Sequence, residues 1–499
     1  MIEVLPVDTP TLGDRSYLAH DGDVALVVDP QRDIDRISAL AAERGVRVTH
    51  VAETHMHNDY VSGGLALSRA TGARYLVNAA DPVGFACTPV GDGDSLAIGA
   101  SMRLRVVATP GHTFTHLSYV LEAAGAVTGV FTGGSLLYGS TGRPDLLGPG
   151  HTGALARAQY ASARRLAGEL PDSAEVFPTH GFGSFCAATQ SAARSSTIGQ
   201  EKRSNPVLTL GEQAYIEELV AGLDAWPAYY AHMAAANIAG PAAPDLSPPR
   251  RADAAQVRRR IQAGEWVVDL RDRVAFAAGF VPGSFSFPVH DGFATYLGWA
   301  IPWNKPVTLL GETPEQVSRA QRELVRIGID RPAAATTGRA RDWAGGRPLA
   351  TLRLARFGDL AAAIAAAPGD DAPVVLDVRR RLEWEQSHIA GAAHIPFNEL
   401  PDHLGEIRSG EVWVHCQSGY RAVAAASMLA AHGRPPVAID DDFGNARAAG
   451  LALARHTARM APSEGPRLAV ELRSCYGTGR GPARSLAESA RRPQVPRVA

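Results

Sequence analysis

The first 180 residues alternate between short apolar runs and polar segments that begin where each run ends. Val24–Val28 is apolar throughout and closes at Asp29-Pro30, the pattern of a buried strand stopped by turn residues. From Ile34 to Arg44 the apolar positions recur at helical spacing and stop at Gly45. Val46–Ala52 predicts another strand, running straight into Glu53-Thr54-His55, with a helix after the polar loop. Arg103–Ala108, Leu117–Leu121 and Val127–Phe131 are further strand candidates. Helical periodicity returns from about Thr152 to Leu166, with Thr152 in the N-cap position.

A Pro-rich stretch, Gly240–Arg250, interrupts this pattern and reads as a linker. After it, one pattern occurs twice. Trp266–Arg271 and Val374–Arg379 are buried-strand runs ending in Asp-x-Arg, and Phe280–Pro288 parallels Ile389–Phe397. Val307–Glu312 parallels Val412–Gln417, and a helical stretch follows each. Strands alternating with helices in a repeated unit predict two copies of an α/β domain. Beyond about Arg459 the chain turns rich in Arg, Pro, Gly and Ser without periodicity, and a disordered tail is expected. The expected organisation is an α/β multidomain chain: a first domain over 1–240, a linker over 241–251, repeats over 252–348 and 349–458, and a tail over 459–499.

Composition narrows the function classes. Apolar residues make up 45% and charged residues 20%, as in ordinary soluble globular proteins. The formal net charge of -2 supplies no global field for nucleic acid or an anionic membrane. No apolar run spans a bilayer, and the N-terminus MIEVLPVDTP lacks the features of a signal peptide, so a cytoplasmic location is expected. Cys87, Cys186, Cys416 and Cys475 are too scattered for a disulfide framework and form no CxxC pair. Each is a small core residue or a reactive thiol.

One of them has context. A strand ending at His415 leads into Cys416-Gln417-Ser418-Gly419-Tyr420-Arg421 and then an Ala-rich helix, Ala422–Ala431. Backbone N–H groups of such a loop, with a helix N-terminus behind them, favour thiolate over thiol. Ser418 and Gly419 shape the loop, and Arg421 adds fixed positive charge for a sulfur oxyanion or persulfide. The thiolate can take up a sulfur atom and hold it as a covalent persulfide. In the other repeat the corresponding loop is Gly311-Glu312-Thr313-Pro314. It has no Cys, and its Glu repels a sulfur anion, so that copy is expected to be silent.

Histidines mark a second constellation. His55, His57 and Asp59 sit in the loop after one strand, His112 in Pro110-Gly111-His112-Thr113, and His180 in Thr179-His180-Gly181. A single loop His is most simply a hydrogen-bonded side chain. Four His and one Asp at one edge of a sheet point to a transition-metal site. Cys186 follows His180 in a Gly-rich loop, either near a substrate at that site or inert in the core.

The order HxHxD, PGHT, THG over residues 1–240 resembles the metallo-β-lactamase superfamily, and Val374–Gly450 resembles a rhodanese domain through Asp377-Val378-Arg379, Glu383, His388-Ile389 and the Cys416 loop. The whole arrangement resembles the persulfide dioxygenase–rhodanese fusions, and Gly142-Arg143-Pro144-Asp145 resembles that group's signature. The resemblance implies an αββα sandwich followed by two rhodanese-like α/β domains, the first inactive. It implies one transition metal, Fe(II) in preference to Zn, on His55, His57 and His112, with Asp59 and His180 nearby and Arg143, Asp145 and Cys186 toward the substrate. It also implies iron- and O2-dependent oxidation of a low-molecular-weight persulfide to sulfite, coupled to sulfur transfer through Cys416, with sulfite or thiosulfate as partners and a homo-oligomer as one possible assembly.

Two positions depart from the superfamily. Tyr60 stands where a His is usual, and Phe131-Thr132-Gly133-Gly134 has Gly134 in place of a metal-binding Asp. Asp59 or Asp145 is left to substitute for the lost carboxylate. Two alternatives stay open: a sulfurtransferase whose first domain is a metal-free binding module, and a thioester metallohydrolase, which both departures disfavour.

Overall fold

The computed structural model describes residues 2–290, 292–367, 372–434 and 436–455; the expected tail over 459–499, with Cys475, lies outside the described residues. The first domain is built on a pair of mixed sheets that face each other. One contains β1 (Glu3–Thr9), β2 (Asp14–His20), β3 (Val24–Val28), β4 (Arg47–Ala52), β5 (Arg74–Asn78) and β6 (Thr88–Val90), as neighbours in that order. The other contains β7 (Ser95–Ile98), β8 (Met102–Ala108), β9 (Leu117–Ala123), β10 (Ala126–Gly133) and β11 (Glu175–Pro178), ordered β11-β10-β9-β8-β7. Leu26, Val28, Leu104, Leu117 and Phe131 fill the space between the sheets.

Helices cover both outer faces. Ile37 of α1 (Asp35–Arg44) and Leu65 and Leu67 of α2 (Gly64–Thr71) pack with Val27 and Val51 on the first sheet. Ala156, Ala163 and Leu166 of α3 (Pro149–Glu169) pack with Val120 and Val130 on the second. The result is the expected αββα sandwich. α1 ends where Gly45 takes a left-handed φ of 66°, a conformation glycine adopts without steric cost. The helix expected to be capped by Thr152 instead begins at Pro149, after Gly148. Proline fits the first helical turn because its missing N–H has no intrahelical partner there.

The two repeats share one sheet plan. In the first the parallel strands run Phe285–Ser286, Trp266–Asp269, Val307–Gly311, Ala334–Thr337. In the second they run Arg353–Ala355, Pro436–Ile439, Val412–His415, Val374–Asp377, Ala393–His394. Each sheet places its Asp-x-Arg strand beside the strand that leads to the loop in question. The helix expected over Ala422–Ala431 starts earlier, at Tyr420, so Arg421 lies in its first turn. No helix among the described residues is long and apolar enough to cross a membrane.

Met1–Thr457 forms one compact unit, and a single apolar cluster runs through it. Leu12, Tyr60, Val61 and Met233 meet Leu297 and Ile327 of the first repeat, and the cluster continues to Val414 and Cys416 of the second. A buried ion network stands beside this contact. Arg326, at the end of helix Pro314–Arg326, donates to Asp33 at 2.6 and 3.1 Å and to Glu323 at 2.8 Å. Glu323 in turn accepts from the Thr11 hydroxyl. Removing one partner strands a buried charge. Arg326→Ala is therefore expected to lower unfolding free energy by roughly 3 kcal/mol, measured by denaturant titration; a loss well under ~1 kcal/mol contradicts this role for the network.

Candidate functional site

The loops that leave β3, β4, β8, β10 and β11 meet at one edge of the sandwich. Asp29, just past β3, binds them together. Its carboxylate accepts from the Thr54 backbone N–H and hydroxyl, each at 2.7 Å, and from the Thr179 hydroxyl. It also lies 3.3 Å from His57 Nε2. This joins the HxHxD loop to the loop of His180.

His55, His112 and His180 each bring one ring nitrogen into a group whose atoms lie within 4.8 Å of one another. His57, Asp59 and His180 form a second, overlapping group of the same tightness. All five side chains are essentially inaccessible to solvent. The rings are aimed by their other nitrogens. His112 Nδ1 meets the Arg143 carbonyl at 2.8 Å, and His180 Nδ1 lies 2.9 Å from Asp14 and 3.0 Å from Asp59. The Nε2 atoms of His55 and His180 then face each other at 3.4 Å.

His57, expected with His55 and His112, stands in the overlapping group with Asp59 and His180. Its Nε2 is taken by Asp29 and Glu53, both at 3.3 Å, and by the Tyr60 hydroxyl at 3.0 Å. Only its Nδ1 faces the pocket side, 3.9 Å from Asp59. His180, expected nearby, belongs to both the imidazole group and the group with His57 and Asp59. Tyr60, where a His is usual, serves as a hydrogen-bond partner of His57.

Buried atoms of this pocket without a hydrogen-bond partner include His57 Nδ1, Asp59 Oδ1 and His112 Nε2. Unsatisfied buried polar groups are costly, and lone pairs converging on one space are what a borderline cation satisfies. Charge divides the rings, since a protonated imidazole has no free lone pair and a bound cation must displace its proton. Burial disfavours a charged His180, but Asp59 and Asp14 outweigh it and hold the ring up at about 10. Burial likewise opposes charge on His57, which Asp29 and Glu53 lift to about 9. Burial and the neighbouring His180 push His112 down to about 3, the neutral form that offers a lone pair. These residues fit a transition metal.

At Gly134 a ring stands where a side chain would be. A Cβ at this position would lie 2.3 Å from Cδ2 and 2.6 Å from Cγ of His112, so the imidazole ring occupies the space of a side chain. Asp59 stands in the pocket. Asp145 does not substitute there: it forms a two-pronged pair with Arg143 at 2.7 Å for both bonds. Arg143 is itself buried and also donates to the carbonyls of Asp224 and Phe185. The pair braces the loop whose carbonyl aims His112. Cys186 is fully buried near Asp59, and burial and that carboxylate push its thiol well upward. Asp14, Asp29, Glu53 and His116 were missed by the motif pattern. His116, in the same loop as His112, accepts from the Gly134 N–H at 3.0 Å; its spacing from His112 was the available signal.

At the other loop, Cys416 Sγ accepts from the Gly419 N–H at 3.2 Å and is 2% exposed. Gly419 has φ 94°, and a Cβ there would sit 2.2 Å from Asp440 Oδ1, so the turn requires glycine. Arg421 donates to both oxygens of Glu383 at 2.7 Å. Burial pushes Glu383 upward, but the paired guanidinium outweighs it and holds the carboxylate at about 2. Ser418 is exposed on the loop. Asp377 and Arg379 form a buried pair at 2.7 Å beneath it.

Residues 12–180 match the model of the metallo-beta-lactamase superfamily, and residues 360–443 match that of the rhodanese-like domain. A hydroxyacylglutathione hydrolase of Polaromonas sp. is 30% identical over 160 residues, 32% of this chain and 57% of the relative, so the chain spans little more than half of that protein's length. The human mitochondrial persulfide dioxygenase ETHE1 is 28% identical over 211 residues, 42% of this chain and 74% of the relative. A crystal structure of a metallo-beta-lactamase from Staphylococcus aureus superposes with a TM-score of 0.60 at 27% identity, covering 68% of this chain and 99% of that one.

The Gly134 geometry is directly testable. Gly134→Ala is expected to displace the His112 ring and weaken binding of added Fe(II) or Co(II) about tenfold or more, read by titration of metal into the apo protein. Unchanged affinity would mean that His112 takes no part in holding a cation.

Proposed function

This chain joins a metallo-β-lactamase superfamily domain to a rhodanese-like domain, and on that premise we propose that it is an enzyme of persulfide metabolism. The first site oxidises a low-molecular-weight persulfide to sulfite, and Cys416 moves sulfane sulfur between the carrier and sulfite. The observation that carries this reading is the convergence of unpartnered imidazole and carboxylate atoms in the same compact unit as an intact Cys416 loop. The likeness to persulfide dioxygenases supports it.

His55, His112 and His180 would hold the metal, with His57 and Asp59 beside them. Bound iron supplies the oxidising chemistry with O2. The chain's own residues do the rest. The Arg143 carbonyl fixes His112 and the Asp14–Asp59 pair fixes His180, so little reorganisation is needed on binding. Burial of the pocket excludes bulk water, which protects a reactive sulfur species from side reactions.

At the second site the Cys416 thiolate attacks the outer sulfur of a persulfide. The carrier's S–S bond breaks, the carrier leaves as its thiolate, and Cys416 keeps the sulfur as a persulfide. Sulfite then attacks that outer sulfur, leaves as thiosulfate and regenerates the thiolate. The Gly419 N–H steadies negative charge at Sγ, and Arg421 supplies a fixed positive charge in the first turn behind it. The first repeat, with Gly311-Glu312-Thr313-Pro314 at the corresponding loop, is silent in this scheme and serves in packing.

Gly134 favours a second reading, in which the first domain binds without catalysing and Cys416 is the only catalyst. Thioester hydrolysis, suggested by the hydroxyacylglutathione hydrolase likeness, is disfavoured by Tyr60 and Gly134 together. Elemental mass spectrometry of anaerobically purified protein separates these readings. About one iron per chain is expected, lost in His112→Ala, together with persulfide-dependent oxygen uptake that survives Cys416→Ser. Cys416→Ser is expected to abolish thiosulfate-dependent sulfur transfer. Absence of iron and of oxygen uptake after reconstitution overturns the dioxygenase reading.

A further inference from the structure

The helix that carries Glu383, Arg381–Gln386, buries none of its residues and spans only six positions. Helices so short are not stable on their own, so something outside must fix it. Contacts within the repeat supply some of this: Glu383 accepts from the Arg380 N–H at 3.0 Å, and Trp384 stacks on His388 at 3.8 Å. Two other contacts come from the first domain. Asp224 Oδ2 accepts from the Leu382 N–H at 3.3 Å, and the Leu223 carbonyl accepts from Arg381 at 3.0 Å.

Asp224 is well placed to act as a fixed point. Its backbone carbonyl accepts from Arg143 at 2.5 Å, and its other carboxylate oxygen accepts from the Ala225 N–H at 2.9 Å. Arg143 is the residue whose own carbonyl aims His112. One short segment therefore ties the brace of the histidine pocket to the helix that holds Arg421 through Glu383. From this geometry we propose that Asp224 is a positioning residue for the Cys416 loop, supplied by the neighbouring domain: its carboxylate sets the helix, the helix sets Glu383, and Glu383 sets the Arg421 guanidinium. The inference rests on the reading of Cys416 as the sulfur-transfer nucleophile, and its test does not require transfer to occur.

The readout is the pH dependence of Cys416 alkylation by iodoacetamide in the full-length protein, followed by peptide mass spectrometry. Arg421 with Glu383 and Arg380, Asp440 with Arg273 at the Gly419 turn, His415 with Asp377 and Arg379 beneath, and Tyr296, Tyr420 and His290 alongside are charged and titratable groups about this loop. Asp224→Ala touches none of them directly. It is expected to raise the alkylation midpoint by about one pH unit as Arg421 loses its fixed place, and to lower kcat/KM for thiosulfate about tenfold. Asp224→Asn keeps one acceptor oxygen for the Leu382 N–H but turns its amide NH2 toward the Ala225 N–H, and is expected to shift the midpoint by less than half as much as Asp224→Ala. Arg381→Ala, which leaves the first domain unaltered, is expected to move the midpoint in the same direction, so the inference stays testable if Asp224→Ala folds poorly.

A midpoint unchanged in both Asp224→Ala and Arg381→Ala overturns the proposal. So does an equal shift in Asp224→Ala and Asp224→Asn, since the hydrogen bond is then not responsible. A shifted midpoint in a protein whose wild type transfers no sulfur upholds the positioning role and overturns the transferase reading instead.

Discussion

The buried carboxylate of Asp29 is the constraint around which the first domain's chemistry is arranged. It sits at a left-handed φ of 50°, a conformation that costs a non-glycine residue roughly 1–2 kcal/mol. That cost is offset because the carboxylate meets three protein donors and an imidazole at once. The donors belong to loops leaving β4 and β11, so a single side chain fixes where His55, His57 and His180 begin. Burial alone raises a carboxyl group's pKa, yet His57 and the hydroxyl donors hold Asp29 below the usual range. A charged carboxylate is therefore favoured here, and a buried anion beside the His57 ring contributes to the pocket's electrostatic character.

Loss of a metal-binding carboxylate at position 134 then has a geometric counterpart. The His112 ring fills the space above Gly134, held there by the Arg143 carbonyl on one side. His116 accepts the Gly134 N–H from behind. The three residues make one packed unit, in which adding a single methyl group forces the ring to move. Asp59, on the opposite loop, remains as a pocket carboxylate. The donors that converge in this pocket are imidazoles and a carboxylate.

Much of this was legible in the sequence where hydrophobicity carried it. The runs at Val24–Val28, Val374–Asp377 and Val412–His415 are buried throughout, and the duplicated Asp-x-Arg pattern anticipated the shared sheet plan. β2 was not legible, because Asp14, Arg15, Ser16 and His20 are all buried within it. Their polar side chains disguise a central strand, and two of them are buried because they serve the site: Asp14 holds His180, and Ser16 bonds the Asp29 carbonyl at 2.7 Å. The direction of the His57 ring was hidden for a related reason. Spacing places the residue on the loop, but Asp29 and Glu53 decide which nitrogen faces inward. The pairing of Arg143 with Asp145 is likewise a contact that a motif does not disclose.

The two chemical centres therefore share a dependence that neither motif discloses. The pocket needs Arg143 in place, Arg143 leans on the Asp224 carbonyl, and the Asp224 carboxylate reaches the helix behind the Cys416 loop. A rigid joint of this kind has a physical use when a reactive intermediate passes between sites, since a fixed separation raises the effective concentration of one site's product at the other. A flexible linker provides the same average proximity but lets each site relax independently. Here the Pro-rich segment after residue 240 is supplemented by the Arg326–Asp33 network and the shared apolar cluster, which suppress that freedom. The first repeat fits this arrangement: it contributes surface, from Leu297 and Ile327 against the first domain to the contacts that carry the same cluster on to Cys416.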